Sequence, residues 1–559
     1  MTDATQAAPP APSASMGDPF PKLTDAQIRR IEAHGRRRTV AAGETLLDAG
    51  VTNAPLFVLL SGRLEVMQVQ DGTESVLVEL EPRQFTGELN MLSGRRGFVR
   101  MHMAEAGEII EVSREQVLEM VQADSELSDI LMRSFIIRRV QIIERTGGDV
   151  VLIGSTHSPG TLRIQEFLSR NGHPYVFMDL DRDTGAQEML DRFHVGIEDV
   201  PVVICRGENL LRAPTNQQIA ACLGLNDSID PAQVRDLVIV GAGPAGLAAA
   251  VFAASEGLDV LMLESNAPGG QAGSSSKIEN YLGFPMGISG QELANRAYTQ
   301  SQKFGAGLMI ARPATRLTCS RKPHAIELDD GTGISARTVV IASGAQYRKL
   351  ELENQEQFEG AGIYYGATQI EARLCRGEEV VVIGGGNSAG QAAVYLATIA
   401  QRVYMLIRSN GLAESMSRYL VRRIEENPQI ELLCNTELTA LEGNSHLESV
   451  RWRNLKTDVE EHRAVQHVFV MTGAVPGTRW LAGCVALDAK GFIKTGSDIS
   501  KDELAAAEWP LARAPHLLET SRPGVFAVGD VRSGSTKRVA SAVGEGSIAV
   551  SFVHRALHE

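Results

Sequence analysis

Two stretches of this sequence each read as strand, glycine loop, helix and second strand, a pattern that few folds accommodate. In the first, the apolar run Leu237–Val240 enters Gly241-Ala-Gly243-Pro244-Ala245-Gly246. The helical pattern Leu247–Ala254 follows, then a second apolar run, Val260–Leu263, that ends on Glu264. Gly241 suits a tight turn, Gly243 lets a pyrophosphate approach the backbone, and Gly246 lets the helix pack closely on the strand. The helix N-terminus then faces the phosphates. Glu264 stands where an acid bonds a ribose hydroxyl, about 20 residues on.

The second stretch repeats the plan. Val380–Ile383 enters Gly384-Gly-Gly386-Asn387-Ser388-Ala389, followed by a helix and the strand Val403–Leu406. Here the strand is followed by Ile407-Arg408 and no acid. A missing acid with an arginine nearby favours the 2′-phosphate of NADPH over the bare ribose of NADH. Arg408 reads equally as a solvated surface residue, and Arg418 and Arg422 are secondary candidates. Residues 234–559 are thus expected to hold two Rossmann-type α/β units.

The rest of the chain is organised differently. A length of 559 residues suggests three or four domains. Residues 1–19 read as a disordered tail, because Met1–Met16 carries no Lys or Arg and is rich in Ala, Pro and Ser. Residues 20–146 begin as short strands between glycines, with Leu56–Met67 read as two β runs around Ser61-Gly62, as in an all-β roll. A helix is predicted from Ser113, capped with Gln116, and apolar residues keep helical spacing to about Ile143. Gly147-Gly148-Asp149 and Asn226–Pro231 are polar joints. Between them, residues 149–225 alternate strand and helix in a small α/β unit. A net charge of −14 argues against nucleic acid as a partner. No apolar run approaches the ~18 residues of a membrane span. The six cysteines, at 205, 222, 319, 375, 434 and 484, include no CxxC and do not cluster in sequence, which fits a reducing compartment and a cytoplasmic protein.

Residues 234–559 resemble the low-molecular-weight thioredoxin reductase family nearly end to end. The resemblance rests on GAGPAG at Gly241, APGGQ at Ala267, IENYLGFP at Ile278, ASGA at Ala342, GGGNSA at Gly384 and PGVFAVGD at Pro523. It implies FAD at the first glycine loop, NADPH at the second, and a homodimer. The FAD-binding domain would comprise 234–349 and 475–559, with the NAD(P)H-binding domain at 350–474. By resemblance Gly270, Gln271 and Asn280 lie by the flavin, and Gly529 and Asp530 bond its ribityl chain or pyrophosphate. Val539 and Ala540 lie near the isoalloxazine, in a stretch beginning at Lys537 that departs from the family pattern.

The larger departure concerns sulfur. The family carries Cys-Ala-Thr-Cys-Asp just before the second Rossmann strand, and here the matching stretch is Gly366-Ala-Thr-Gln369-Ile370. Disulfide exchange needs a thiolate, and neither Gly366 nor Gln369 supplies one. Cys375, the nearest cysteine, reads as a structural residue. Residues 149–225 resemble a thioredoxin or glutaredoxin fold in which the redox loop reads Ser155-Thr-His157-Ser158, again without sulfur, and Pro201 matches the family's cis-proline. Residues 20–146 resemble a cyclic-nucleotide-binding β-roll through AAGETLLDAG, LFVLLSGRLEV and FTGELNMLSGRR. That resemblance puts Gly87 and Glu88 at the ribose and Arg95 or Arg96 at the cyclic phosphate, with Phe98 standing where a small residue is usual.

The leading reading is an FAD-dependent NADPH oxidoreductase that passes electrons to a small molecule or protein other than a disulfide, tuned by a cyclic nucleotide. The flavin carries such chemistry without a catalytic side chain. A redox or nucleotide sensor with little turnover, and a thioredoxin-disulfide reductase using other cysteines, are the alternatives.

Overall fold

The computed structural model describes residues 18–559 except 71–72, 98, 146–149, 184–189, 191–194, 197–198, 206–208, 227–228, 320, 413–415 and 482. The Met1–Met16 tail, the Gly147–Asp149 joint, Phe98 and most of the helix expected after Leu180 therefore lie outside the described residues. By internal contacts the chain divides into two units, Met1–Gly147 and Gly148–Glu559. Among the described residues no helix is long and apolar enough to cross a membrane.

The first unit is an antiparallel roll. Its strands lie in the order Arg36–Val40, Val99–Val112, Leu56–Gln70 and Thr73–Leu80, with Thr45–Leu47 also paired to Val99–Val112. The two runs expected around Ser61-Gly62 are one strand. The chain absorbs the glycine as a register irregularity between Leu59 and Leu64 and keeps pairing. Gly62 has φ +84°, and a Cβ there would fall 2.7 Å from the carbonyls of Glu105 and Ala106, so the opposing strand excludes a side chain. The helical pattern from Ser113 is two helices. Ser113 and Gln116 form the capping box of Arg114–Ala123. Asp124, extended at φ −115°, ends that helix, and its carboxylate accepts the amides of Glu126 and Leu127 at the start of α1 (Ser125–Arg145).

The second unit opens with a four-strand sheet in the order Val176–Asp179, Val150–Gly154, Val202–Cys205 and Asn209–Arg212. α2 (Pro159–Arg170) packs on it with Ile164, Phe167 and Leu168 buried. The Val200–Pro201 bond is cis. The next sheet has a parallel core of Gly307–Ile310, Val260–Glu264, Val234–Val240, Gly333–Ile341 and Val525–Ala527, extended by an antiparallel pair, His324–Leu328 and Ala314–Thr318. α3 (Pro244–Ser255) lies under it. This helix is nearly all alanine and small residues, so it sinks into the sheet. A Cβ on Gly246 would fall 1.9 Å from Gly241 O, so only glycine permits that approach. A second parallel sheet holds Ile363–Tyr364, His467–Val470, Glu379–Ile383, Arg402–Ile407 and Ile430–Cys434. α4 (Gln369–Leu374) precedes its central strand and α5 (Asn387–Leu396) follows it. A two-strand ribbon, Ala345–Gln346 against Val475–Pro476, carries the chain between the two sheets. α6 (Val539–Leu557) closes the unit against α3, where a Cβ on Gly546 would fall 2.1 Å from Ala245 O.

Candidate functional site

At the first glycine loop the backbone is shaped for an anion. Gly241 has φ +106°, and a Cβ there would fall 2.3 Å from Ala342 O. Gly243 is the opposite case. Its Cβ would meet nothing nearer than the Cα of Gly270 at 3.9 Å, so the loop borders an open cradle. α3 starts at Gly243 with no side-chain cap and Pro244 in its first turn, leaving the amides of Ala245 and Gly246 directed out of the helix end. The buried Glu264 carboxylate accepts the amides of Ala242 at 2.8 Å and Asn266 at 2.9 Å, tying the second strand to the loop with acceptor capacity to spare. Gln271 and Asn280 are exposed, and the Gly270 carbonyl accepts from Arg170 at 2.8 Å. A pyrophosphate with its attached ribose fits this donor set and cradle.

Gly529 and Asp530 follow the strand Val525–Ala527. The Gly529 amide donates to Glu545 at 2.7 Å, and Glu545 also pairs with Arg532 at 2.6 Å. Burial pushes the Asp530 carboxyl above its ordinary range, while the Lys537 ammonium opposes it. Lys537 donates to the Asp530 carbonyl at 3.1 Å and lies 4.5 Å from the Phe492 ring centre. Val539 and Ala540 form the first turn of α6, which begins at Arg538 without a side-chain cap.

The second loop repeats the geometry. Gly384 has φ +139° and stands where a Cβ would strike Met471 O at 2.6 Å, whereas a Cβ on Gly386 would meet nothing within 4 Å. Asn387 accepts the Ser417 amide at 2.7 Å, and Ala389 is buried in the first turn of α5. Arg408 is exposed beyond the second strand, Arg418 is exposed, and Arg422 pairs with Glu426 at 2.7 Å.

Sequence reasoning missed the residue that joins these sites. Tyr347 follows the linker ribbon directly. Burial pushes its phenol up, the Ser388 hydrogen bond opposes that, and the Asp530 carboxylate adds to it. Its side chain packs against the buried core that includes Ala389 of the second glycine helix, and the Asp530 carboxylate acts on it electrostatically. No spacing in the sequence marks it, because both partners lie far along the chain.

The two sulfur-free loops are built into the fold. Thr368 caps α4, with its amide bonded to Glu371 at 2.8 Å, and a Cβ on Gly366 would lie 4.0 Å from that of Ser274. Cys375 is fully buried, and burial pushes its thiol up to about 12, so it is not a thiolate at neutral pH. Ser155 donates to Asp181 and Thr156 to Asp179, both at 2.6 Å, while His157 is exposed. One expectation is corrected. The expectation of free thiols fails for one pair: while Cys205, Cys222, Cys375 and Cys434 are free, Cys319 and Cys484 form a disulfide with Cα atoms 6.2 Å apart. Their separation of 165 residues hid the pair from a reading of spacing.

In the first unit Gly87 and Glu88 open the turn before the short helix Leu89–Ser93, and they line a cavity of about 30 Å³ with Arg95, Asn90, Met91 and Met101. Glu88 caps that helix through the Asn90 amide at 3.0 Å and lies 3.8 Å from Arg139 of α1. Burial raises the Glu88 carboxyl and the Arg139 guanidinium opposes this. The neighbouring Arg138 donates to Gly87 O at 2.9 Å. Its guanidinium lies between the rings of Phe20 and Phe85, and burial lowers its pKa to about 9. Arg96 contributes a carbonyl that accepts from Asn90 at 3.0 Å.

Residues 235–546 match the pyridine nucleotide-disulphide oxidoreductase family, more than half of the chain. The chain belongs to that family. Residues 37–124 of this oxidoreductase match the cyclic nucleotide-binding domain family. Thioredoxin reductase of Ureaplasma parvum is 33% identical over 323 residues, 57% of this chain and 96% of that protein. Thioredoxin reductase of Bacillus subtilis is 30% identical over 329 residues, 58% and 96% of the two chains. The crystal structure of Lactococcus lactis thioredoxin reductase in its FR conformation superposes with a TM-score of 0.52 at 28% identity, covering 58% of this chain and 99% of that one. The protein is an FAD-dependent NADPH oxidoreductase of the thioredoxin reductase-like group, with a cyclic-nucleotide-binding domain at its N-terminal end.

Proposed function

We propose that this oxidoreductase passes electrons from NADPH through FAD to an acceptor that is not a disulfide. The observation that carries the reading is chemical. Both glycine loops are intact, while the positions of the family's redox cysteines hold Gly366 and Gln369 and the nearest thiol, Cys375, is sealed and protonated. FAD, when bound, accepts a hydride from the reduced nicotinamide and hands electrons on. The chain's own contribution is positional. The amides of Ala245 and Gly246 and the Glu264 carboxylate would hold the flavin nucleotide. Gly270, Gln271, Asn280, Gly529, Asp530, Val539 and Ala540 would border the flavin. Gly384 to Ala389 would hold the nicotinamide nucleotide, with Arg408 on its 2′-phosphate. Tyr347 would fix the second glycine helix against the flavin side. Oxygen, a quinone and a small electron-carrier protein are the acceptor classes.

In this reading the first unit takes a cyclic nucleotide at Gly87 and Glu88, with Arg95 or Arg96 on the phosphate and Glu88 on the ribose. Its cavity of about 30 Å³ has room for little more than water, so a nucleotide would need the lining to open and Glu88 to turn from Arg139. The test is anaerobic mixing of the full-length, FAD-loaded protein with NADPH, followed by each acceptor, with and without cyclic AMP or cyclic GMP. The expected result is loss of the visible flavin band with NADPH, reoxidation by oxygen or a quinone, and none by thioredoxin disulfide. Turnover that requires thioredoxin disulfide would overturn the reading, and so would a flavin that NADPH leaves oxidised.

A further inference from the structure

The thioredoxin-like residues 150–225 keep the face on which such a fold would carry its redox loop, and although His157 of that loop is exposed, the helix that follows it is held against the rest of the same chain. α2 is 12 residues long, which makes it ~18 Å from end to end, and its two ends touch different nucleotide-binding halves. At its N-terminal end Leu162 belongs to one buried cluster with Tyr364, Ala367 and Cys375 of the NADPH side. Pro159 lies so close that a Cβ on Gly360 would fall 2.9 Å from its own Cβ. His157 lies with its ring centre 6.5 Å from that of His446. At the C-terminal end Arg170 donates to Gly270 O at 2.8 Å, and its own carbonyl accepts from Gln291 at 2.9 Å, both on the FAD side. A second anchor on that side is Asn226, whose amide side chain makes both hydrogen bonds to the backbone of Ile310, at 2.6 and 2.8 Å. Ile310 and Ala311 are buried in the same cluster as Val150 and Ile164.

Shared apolar clusters, with paired bonds from side chains to backbone, are contacts of a domain interior, unlike the polar, separable interfaces between mobile domains. The chemistry is consistent with a fixed arrangement. With no sulfur at 366–369, nothing on the NADPH side has to travel between flavin and surface. We infer that residues 150–225 are an internal strut. The partner of α2 is this chain's own pair of nucleotide-binding halves, held in one arrangement in which the flavin is reduced without their moving apart. The inference rests on the function proposed above for how the flavin is reduced, and on the contacts alone for the strut.

Hydrogen exchange of the full-length, FAD-loaded protein, followed by mass spectrometry with and without NADPH under anaerobic conditions, separates the two. Segments 155–162 and 360–374 are expected to be protected, and to exchange equally in the oxidised and NADPH-reduced protein. Paired substitution of Leu162→Asp and Arg170→Ala is expected to speed exchange in both segments by about tenfold or more, because the anchoring contacts are lost. Equal, fast exchange in the unaltered protein, or about a tenfold rise on reduction, overturns the strut, and the unaltered protein decides this if the double variant does not fold. The flavin band, recorded in the same samples, reports separately on function. If it persists with NADPH, the proposed electron path fails while the protection pattern still judges the strut.

Discussion

The glycine loops of the second unit and the Gly87-Glu88 turn of the first are both expected to receive a nucleotide, and they prepare for it in opposite ways. At Gly241–Gly246 and Gly384–Ala389 the binding groups are backbone amides, fixed by glycine conformation and by close helix–strand packing. Gly243 and Gly386 border open space. At Glu88 the group expected to bind is a side chain that is already engaged, capping its own helix, facing Arg139 at 3.8 Å and lining a cavity of about 30 Å³. A site made of backbone is preformed, because glycine conformation and helix packing fix it before a ligand arrives. A site made of a buried carboxylate has to satisfy that carboxylate when the ligand is absent, since an unpaired buried charge is costly. Binding at the first unit would therefore be an exchange of partners, with Arg139 of α1 the one released.

Four experiments test this contrast. The largest effect is expected from Gly241→Ala, which places a Cβ 2.3 Å from Ala342 O at φ +106°. The purified variant should retain FAD at least about tenfold more weakly, read from its visible absorbance, given the cost of such a backbone position to alanine. Full retention would show that the loop is not the flavin cradle. Next, Arg408→Ala should raise the KM for NADPH by about tenfold, the loss of one charge-assisted contact, and leave that for NADH unchanged. Equal changes for both cofactors would return Arg408 to the solvated surface. A smaller effect, about threefold tighter binding of cyclic AMP or cyclic GMP by calorimetry, is expected for Arg139→Ala, which leaves Glu88 without its internal partner. Weaker binding would mean that Arg139 serves the ligand and not the closed state. Finally, Cys375→Ser should leave NADPH oxidation within about twofold, since a buried, protonated thiol offers no nucleophile. Abolished turnover would revive disulfide chemistry.

Much of this was legible in the residues. Both glycine loops, the acid at Glu264, its absence before Arg408 and the sulfur-free Gly366–Gln369 stretch are local patterns, read within a few residues of chain. The Ser113–Gln116 cap was legible for the same reason. The errors came where local and distant demands conflict. Gly62 looked like a turn, but a strand with Glu105 and Ala106 pressed against it tolerates that glycine without breaking. The helical pattern from Ser113 carried no visible break at Asp124, because aspartate ends one helix here by bonding the amides of the next.

The sequence by itself determined what the local motifs offer, since glycine spacing sets where the backbone can accept an anion and the lack of cysteine at 366–369 leaves that stretch no thiolate whatever the fold. Only the tertiary structure decided which distant groups meet: Cys319 with Cys484, Tyr347 with Ser388 and Asp530, Glu88 with Arg139, and α2 with both nucleotide-binding halves. Conformational preference is a property of a few consecutive residues. Pairing between distant parts of the chain is fixed by the packing of whole sheets and helices, which leaves no periodic signature in the chain.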